Sequence, residues 1–307
     1  MSRVAAIDCG TNSIRLLVAD VPAEGPHTDL VRRMEVVRLG QGVDATGRLA
    51  PEAIERTRLA LAGYAAEIRE LGATDVRMAA TSASRDAANR ADFEQMVSTT
   101  LGRLPDVITG REEAELSFLG ATASLDAAAR PPYLVVDIGG GSTEFVLGDG
   151  AGVRAARSVD IGCVRLTERH LHGDPPTAEQ IRRTEDDIRA ALALVTAEVP
   201  VGETATLVGV AGSVTTVAAI ALGLPGYDPV AIHGSRIAVD DVRAVTADLL
   251  AATRERRAAM PVMHPGRVDV IGAGALVLRV LMDEFGLPEV VVSEHDILDG
   301  IALRLAR

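Results

Sequence analysis

The 307-residue sequence contains no lysine, and its 31 basic residues other than histidine are all arginine. A P-loop lysine, a kinase-type ATP-binding lysine and Schiff-base chemistry are therefore excluded. The basic side chains that remain are arginine and histidine. A guanidinium group fits phosphate oxygens in a planar, bidentate manner that an ammonium group does not. We therefore expect any phosphate contact by a charged side chain to be bidentate.

Aromatic residues are also scarce, at 2% of the chain, whereas 48% of the residues are hydrophobic. The core is therefore predicted to be aliphatic. No apolar run approaches the roughly 20 residues that a membrane-spanning helix needs. The N-terminal residues lead directly into a strand-like run and lack the layout of a signal peptide. We expect a cytoplasmic protein with no membrane partner.

Only two cysteines are present, and they form no C-x-x-C pair. Cys9 lies in an apolar strand-like run and Cys163 at a predicted helix start, so both are interpreted as free packing thiols of a reducing compartment. The net charge of −12 argues against nucleic acid as a partner, because a phosphate backbone requires a basic surface. A polyphosphate substrate would likewise need local positive charge against this acidic background.

The most informative pattern is an internal repeat of two predicted β-hairpins, residues 4–20 and 132–149. In each, a β-branched apolar run ends in Asp-x-Gly, a turn ends in Ser, and a second apolar run ends in Asp. The repeat aligns without gaps at Asp8 with Asp137, Gly10 with Gly139, Ser13 with Ser142 and Asp20 with Asp149. Two matching hairpins indicate a duplicated domain.

The rest of the chain alternates predicted strands and helices, which is typical of an α/β protein. The predicted domains are residues 1–125 and 131–307, separated at DAAARPP (126–132), with allowance for the C-terminal helix to pack back on the first domain. Predicted strands are 30–39, 75–80, 106–109 and the VVVS segment. Predicted helices are 51–71, 86–101, one from Glu112, one with a Thr177–Gln180 capping box, one in GVAGSVTT and one from about Asp296.

The hairpin turns have the composition of phosphate cradles. Successive backbone N–H groups and hydroxyls bind anions, and glycine lets phosphate approach the backbone. A single glycine-rich turn is usually only a turn, but two in register, each preceded by Asp, favour binding. Asp8 and Asp137 are candidate Mg²⁺ ligands. The candidate phosphate-binding residues are Thr11, Asn12, Ser13, Arg85, Gly139, Gly140, Gly141, Ser142 and Thr143.

Two further motifs have a structural and a functional interpretation. Glu112 and Glu113 in GREEAE could simply favour a helix N-terminus, or one of them could act as a general base on water. Arg85 in TSASRD could be a surface residue or could bind phosphate at a helix start. No histidine pattern of a metal phosphohydrolase is present in the sequence. His295–Asp296 is interpreted as a helix cap, and the arginines at 32–33 and at 254, 256 and 257 as solvated.

Taken in order, these segments resemble the exopolyphosphatase and guanosine pentaphosphate phosphatase (Ppx/GppA) family of the sugar kinase, actin and heat-shock ATPase superfamily. The segments are AAIDCGTNSIRLLV, TSASRDAANR, ITGREEAELSFLGA, VVDIGGGSTEF, IGCVRLTE, GVAGSVTT and SEHDILDGI. The resemblance covers essentially the whole chain. It implies an α/β fold of two duplicated actin-like (ribonuclease H-like) domains with a cleft between them, and hydrolysis dependent on Mg²⁺ or Mn²⁺.

Position by position, the resemblance implies that Glu113 is the catalytic base and that Arg85 binds phosphate. It implies metal-associated roles for Asp8, Asp137 and Glu144. The family often has Ser and Phe-His where this chain has Thr11 and Ile14-Arg15, and Arg15 is expected to add a phosphate contact. Larger members continue into a helical C-terminal domain that this sequence does not contain.

The predicted function is metal-dependent release of terminal phosphate from inorganic polyphosphate, with short chains preferred, by a homodimer. The length preference rests on the few cations expected at the site, namely Arg15, Arg85, Arg111 and Arg165. Three alternatives remain open at this point: a guanosine pentaphosphate phosphohydrolase, an ATPase or kinase of the same superfamily, and a non-catalytic sensor of alarmone or phosphate.

Overall fold

The structure is a computed structural model that describes residues 1–25, 27–126 and 128–306. The chain divides into two compact units. Unit 1 contains Met1–Ser124 and the segment from Asp296 onward, and unit 2 contains Leu125–His295. The predicted boundary segment, 126–132, begins where the division falls, although its Ala127 lies outside the described residues.

Unit 1 is built on a mixed sheet with the strand order β3-β2-β1-β4-β5. Strands β1, β2 and β3 are antiparallel neighbours, whereas β4 and β5 continue the sheet parallel to β1. The strands are β1 (Ser2–Cys9), β2 (Ser13–Val21), β3 (Thr28–Val36), β4 (Asp75–Ala80) and β5 (Asp106–Val107). The helices are α1 (Val43–Thr46), α2 (Pro51–Glu70), α3 (Ser82–Asp86), α4 (Arg90–Leu101) and α5 (Gly110–Thr122), with α13 (Ile297–Leu305) from the C-terminal segment.

Both faces of this sheet are buried, and the period-two pattern of β1 shows how. Ala5, Ile7 and Cys9 face a cluster that includes Tyr64 of α2 and Phe93 of α4. The alternate residues of β1 face a second cluster formed with Leu116 of α5 and the apolar side chains of α13. Because successive side chains of a strand point to opposite faces, a nearly continuous apolar strand is expected when both faces are covered.

The C-terminal helix α13 belongs to unit 1, where it packs on α5 and β1. The two helices cross at glycines: a Cβ on Gly120 would overlap the carbonyl of Asp296, and a Cβ on Gly300 would overlap the carbonyl of Leu116. The predicted second domain, 131–307, therefore extends past the end of unit 2. The helix packs on the first unit because its apolar face completes the second cluster of that unit.

Unit 2 repeats this arrangement with the strand order β10-β11-β9-β6-β7-β8. Its strands are β6 (Tyr133–Ile138), β7 (Thr143–Asp149), β8 (Gly152–Val159), β9 (Thr206–Val210), β10 (Arg236–Ala238) and β11 (Glu289–Val292). Its helices are α6 (Cys163–His170), α7 (Ala178–Glu198), α8 (Ala211–Ala221), α9 (Pro229–Ile232), α10 (Val239–Ala251), α11 (Arg254–Ala258) and α12 (Ile271–Phe285), with a 3₁₀ turn at Val201–Glu203. Strands β6, β7 and β8 are antiparallel neighbours and β9 and β11 run parallel to β6, as β4 and β5 do to β1. The predicted α/β fold with a duplicated arrangement of strands is confirmed.

Several local predictions are confirmed and others need correction. The capping box between Thr177 and Gln180 is formed, and both cysteines are buried and free. The predicted helix 86–101 is interrupted, because Ala87 adopts an extended conformation between α3 and α4. The helix predicted from Glu112 begins at Gly110, since the Thr109 hydroxyl accepts from the Glu112 N–H as an N-cap. No helix in the described residues is long and apolar enough to span a membrane.

Candidate active-site residues

The candidate residues of unit 1 lie at one edge of its sheet. Strands β1, β4 and β5 run parallel, so the segments that follow them leave the sheet at the same edge. These segments are the turn at 10–13, the start of α3 and the start of α5. In open α/β sheets, ligands bind outside the carboxyl ends of the strands.

The two hairpin turns have the same backbone geometry. The N–H of Gly10 donates to the carbonyl of Ser13 at 3.0 Å, and that of Gly139 donates to the carbonyl of Ser142 at 3.1 Å. These are the glycine and serine positions that the repeat aligned. The duplication therefore extends from the sequence to the hydrogen bond that closes each turn.

The second turn directs its carbonyl groups toward the start of α6. Cys163 N–H donates to the carbonyl of Gly139 at 2.9 Å, and Val164 N–H donates to that of Gly140 at 2.9 Å. The Gly141 carbonyl accepts from Gly162 N–H at 3.2 Å and from Arg165 Nε at 2.8 Å. In a planar trans peptide the C=O and the following N–H point in opposite directions. The N–H groups of residues 140–142 therefore point away from α6, as an anion cradle requires.

The close approach of this turn to α6 depends on Gly162. A Cβ at Gly162 would overlap the carbonyl of Gly140 and the nitrogen of Gly141. These are backbone atoms, which cannot move aside as a flexible side chain can. Gly162 therefore holds the turn in the conformation that presents its N–H groups.

The first turn is held in a similar way by the loop after β3. Gly40 N–H donates to the carbonyl of Thr11 at 2.8 Å, and Arg38 N–H donates to that of Asn12 at 2.8 Å. By the same peptide geometry, the N–H groups of Asn12 and Ser13 point away from this loop. The Thr11 hydroxyl lies 3.1 Å from the Ser82 hydroxyl, so the start of α3 meets the turn directly.

Thr143 differs from the other candidate phosphate ligands. It is fully buried, and its hydroxyl donates to the carbonyl of Ile161 at 2.9 Å. The prediction that this side chain binds phosphate is therefore not supported by its geometry. The reason is that Thr143 is already the first residue of β7, so its side chain points into the protein rather than toward the turn.

Each hairpin places a charged pair directly opposite each other beside its turn. In the second hairpin Asp137 pairs with Glu144, and both side chains are buried. Glu144 Oε1 accepts from the Ser158 hydroxyl at 2.7 Å. Like charges directly opposite each other destabilise a sheet unless something compensates them. Two adjacent carboxylates of this kind can also bind a divalent cation.

In the first hairpin the corresponding pair is Asp8 and Arg15. Arg15 donates to Asp8 Oδ2 from Nε at 3.0 Å and from Nη2 at 2.7 Å, and its Nη1 donates to Asp296. Burial raises the pKa of Asp8, and the Arg15 guanidinium opposes that rise. The expectation that Arg15 adds a phosphate contact stays a prediction, and in this structure all three guanidinium nitrogens donate to carboxylates.

The donor chemistry fits a hard cation. Asp8 is 5% exposed, and among the described residues its Oδ1 has no hydrogen-bond partner. Carboxylate oxygens are the ligands that Mg²⁺ prefers. Within the described ranges, no three His, Cys, Asp or Glu side chains lie together as a metal site. Mg²⁺ usually keeps several waters and uses one or two carboxylates together with phosphate oxygens, so two protein carboxylates are sufficient.

The two glutamates of the GREEAE motif have different surroundings. Glu113 is buried, and its Oε2 accepts from Arg85 Nη1 at 3.1 Å. The same Nη1 donates to the carbonyl of Ile108 at 3.0 Å. Glu112 is instead bound by Arg77 at 2.6 Å and is more exposed. Glu113 is therefore a buried carboxylate at the sheet edge, whereas Glu112 belongs to a more exposed ion pair.

Similarity to known proteins agrees with this geometry. The sequence model of the Ppx/GppA phosphatase family matches residues 17–307. The chain belongs to that family. It is 53% identical to exopolyphosphatase 2 of Mycobacterium tuberculosis, over 100% of this chain and 99% of that protein.

Solved structures of this Ppx/GppA family superimpose closely on the chain. An exopolyphosphatase-like protein superimposes with a TM-score of 0.94 at 43% identity, covering 98% of this chain and 97% of the other. The Aquifex aeolicus PPX-GPPA enzyme superimposes with a TM-score of 0.81 at 31% identity, covering 100% and 99%. The family resemblance predicted from the motifs is confirmed.

Sequence reasoning missed the partners of several charged residues of this Ppx/GppA family member. Asp296 is the predicted cap of α13, but it also binds Arg15. Arg32, interpreted as solvated, donates to the buried Asp299 at 2.5 Å. Arg257, also interpreted as solvated, is buried and donates to the carbonyl of Ala252 at 2.8 Å. The pairings of Arg15 with Asp296 and of Arg32 with Asp299 join distant parts of the chain, so no local motif indicates them.

The GVAGSVTT segment has an unusual backbone conformation that its sequence did not indicate. Ala211, the first residue of α8, has a φ of 68°, which is unusual for a residue other than glycine. The Arg267 guanidinium fills the space beside Gly212 and donates to the Thr216 hydroxyl at 3.2 Å. Such strain often occurs at functional sites. The segment follows β9 at the same sheet edge as the second turn.

Proposed function

We propose that this protein is an exopolyphosphatase that hydrolyses the terminal phosphoanhydride bond of inorganic polyphosphate. The observation that carries the proposal is the environment of Glu113, a buried carboxylate held by Arg85 at the sheet edge of a chain with two phosphate-type turns. A protein that only binds phosphate does not need a carboxylate positioned in this way. The 53% identity to an exopolyphosphatase over the whole chain supports the substrate class.

In the proposed reaction, water attacks the terminal phosphorus and Glu113 accepts the proton of that water. A P–O bond to the water oxygen forms, the P–O bond of the anhydride breaks, and the shortened polyphosphate leaves with the electron pair of that bond. In each unit the N–H groups of the turn, residues 12–13 in unit 1 and 140–142 in unit 2, can orient phosphate oxygens and stabilise their charge. Arg85 holds Glu113 and has guanidinium nitrogens beyond Nη1 that can bind substrate.

A divalent metal, Mg²⁺ or Mn²⁺, is part of the proposal. Exopolyphosphatases of this family suggest a general requirement for one. Asp137 and Glu144 in unit 2 and Asp8 in unit 1 are the candidate ligands, because each is a buried carboxylate beside the turn of its own unit. When bound, the metal would offset the substrate charge and polarise the scissile phosphate.

The preference for short chains is proposed from the positive groups near the turns, most of which are already paired. Arg15 binds Asp8 and Asp296, Arg85 binds Glu113, and Arg111 binds Glu115 at 3.2 Å. A long polyanion needs many cations along its path, and the chain has a net charge of −12. A short polyphosphate can be held largely by backbone N–H groups.

Phosphate release from short polyphosphate, long polyphosphate, ATP and guanosine pentaphosphate, compared at equal concentrations of ends, tests the proposal. We expect the highest kcat/KM for short polyphosphate. A higher value for guanosine pentaphosphate or for ATP would instead support a guanosine pentaphosphate phosphohydrolase or an ATPase. If none of these compounds released phosphate, the result would support a non-catalytic sensor. The homodimer and the cytoplasmic location remain predictions.

A further inference from the structure

We propose that Asp296, acting through Arg15, is a positioning residue that sets the affinity of Asp8 for the divalent cation. The inference rests on the proposed function, because it takes Asp8 to be a metal ligand. Asp296 is the N-cap of α13 and lies 288 positions after Asp8 in the sequence. The guanidinium of Arg15 binds both carboxylates and so links Asp296 to Asp8.

The guanidinium of Arg15 fixes the orientation of the Asp8 carboxylate. Arg15 uses Nε and Nη2 on the same oxygen of Asp8, Oδ2, at 3.0 and 2.7 Å. Its third nitrogen, Nη1, binds Asp296 Oδ2. Because the guanidinium is rigid and planar, anchoring Nη1 fixes the direction of the other two donors. The Asp8 carboxylate is thereby held with Oδ2 occupied and Oδ1 available for a cation.

The summed charge of Asp8, Arg15 and Asp296 also affects how strongly Asp8 attracts a cation. Asp8 and Asp296 are 5% and 3% exposed, so their interaction with Arg15 is only weakly screened by solvent. A guanidinium paired with Asp8 alone would cancel its charge and weaken its attraction for a cation. Because Asp296 shares the guanidinium, the three side chains keep one net negative charge. Asp296 therefore keeps Asp8 electrostatically competent to bind metal.

Single and double substitutions of Asp296 and Arg15 should change Mn²⁺ affinity in opposite directions. Asp296→Asn leaves the three side chains neutral, so Mn²⁺ affinity should fall at least about threefold. Arg15→Gln combined with Asp296→Asn restores one net negative charge, so the affinity should return toward the wild-type value. Asparagine also caps helices, so the substitution at 296 keeps the hydrogen bond to Leu298 N–H. A role limited to helix capping would not produce this recovery.

The experiment is a Mn²⁺ titration by electron paramagnetic resonance of the full-length chain without substrate. Arg32→Gln is the matched control, because it removes the cation that binds Asp299 on the same helix without touching Asp8. It should leave Mn²⁺ affinity unchanged. The apparent Mg²⁺ requirement for phosphate release should follow the same order as Mn²⁺ affinity.

Each outcome decides between the inference and the function on which it rests. Weaker binding in Asp296→Asn, recovery in the double variant and no change in Arg32→Gln support the inference. If Asp8→Asn weakens Mn²⁺ binding but Asp296→Asn does not, the inference is overturned and the metal role of Asp8 stands. If Asp8→Asn has no effect either, both are overturned. A loss in Arg32→Gln equal to that in Asp296→Asn would show that only helix anchoring matters.

Discussion

Asp137 lies directly opposite Glu144 on β6 and β7, whereas the same two positions of the first hairpin hold Asp8 and Arg15. The duplicated hairpins therefore share a backbone and differ in charge. The first hairpin pairs an acid with a cation, whereas the second places two buried acids opposite each other. Carboxylate oxygens are the ligands that Mg²⁺ prefers, so the second hairpin is a candidate for metal binding.

Removing one acid of the second hairpin should reveal that difference. We expect Asp137→Asn to lose at least about half of the Mg²⁺-dependent rise in Tm, because one ligand is removed. Thermal unfolding in chelator and in Mg²⁺ measures this rise, with Asp149→Asn at the far end of β7 as the control. A full Mg²⁺ response in Asp137→Asn would contradict the assignment.

Arg85→Lys separates two roles of Arg85. One nitrogen, Nη1, makes the contacts to both Glu113 and Ile108, so a lysine ammonium could take its place. If Arg85 also binds phosphate with its other nitrogens, lysine cannot reproduce that contact. We expect Arg85→Lys to raise KM nearly as much as Arg85→Ala does. Steady-state kinetics with near wild-type values for Arg85→Lys would limit Arg85 to anchoring Glu113.

Gly162→Ala should disturb the second cradle without changing any polar group. The added methyl group would overlap the backbone of Gly140 and Gly141, so the turn or α6 must move. We expect a stability loss of about 1–3 kcal/mol together with a higher KM. Gly150→Ala is the matched control, because a Cβ there meets no atom within 4 Å among the described residues. Wild-type stability and KM in Gly162→Ala would rule out the close packing described here.

His27 should make stability depend on pH. Hydrogen bonds to Asp29 and Asp299 raise the pKa of His27 to about 9, against an ordinary value of 6.5. A raised pKa means that the stabilisation is complete below pH 6.5 and is lost as the pH rises toward 9. We expect the free energy of unfolding to fall by about 1–3 kcal/mol across that range. Denaturant unfolding at several pH values should show a smaller fall in His27→Gln, and equal falls would contradict the assignment.

The hairpins, their alignment and the family could be predicted because they depend on local patterns. In each hairpin, one hydrogen bond between residues three positions apart closes the turn between two strands. The same residue types recur in both copies. The side-chain partners could not be predicted in the same way. Arg15 and Asp296 are 281 positions apart, and Arg32 and Asp299 are 267 apart, so only the packing of α13 on unit 1 brings them together.

Thr143 and Arg15 show how the partners expected from residue type differ from those that packing supplies. A threonine in a GGGST turn appears suited to phosphate, but the strand begins one residue earlier than the turn chemistry suggests, which buries the hydroxyl. An arginine beside a predicted anion site appears available, but two nearby carboxylates already bind it. In both cases tertiary packing determines the partner. The roles of Glu113, Arg85 and the metal carboxylates remain predictions.

The central claim is that Glu113 activates the attacking water. The most direct test is to measure kcat for phosphate release from short polyphosphate in Glu113→Gln and in Glu112→Gln. Glutamine keeps the shape of the side chain but cannot accept the proton, so Glu113→Gln should lower kcat by roughly 10²–10⁴-fold with little change in KM. Glu112 is bound by Arg77 away from Arg85, so Glu112→Gln should stay close to wild type. Equal losses in the two variants, or wild-type kcat in Glu113→Gln, would contradict the account.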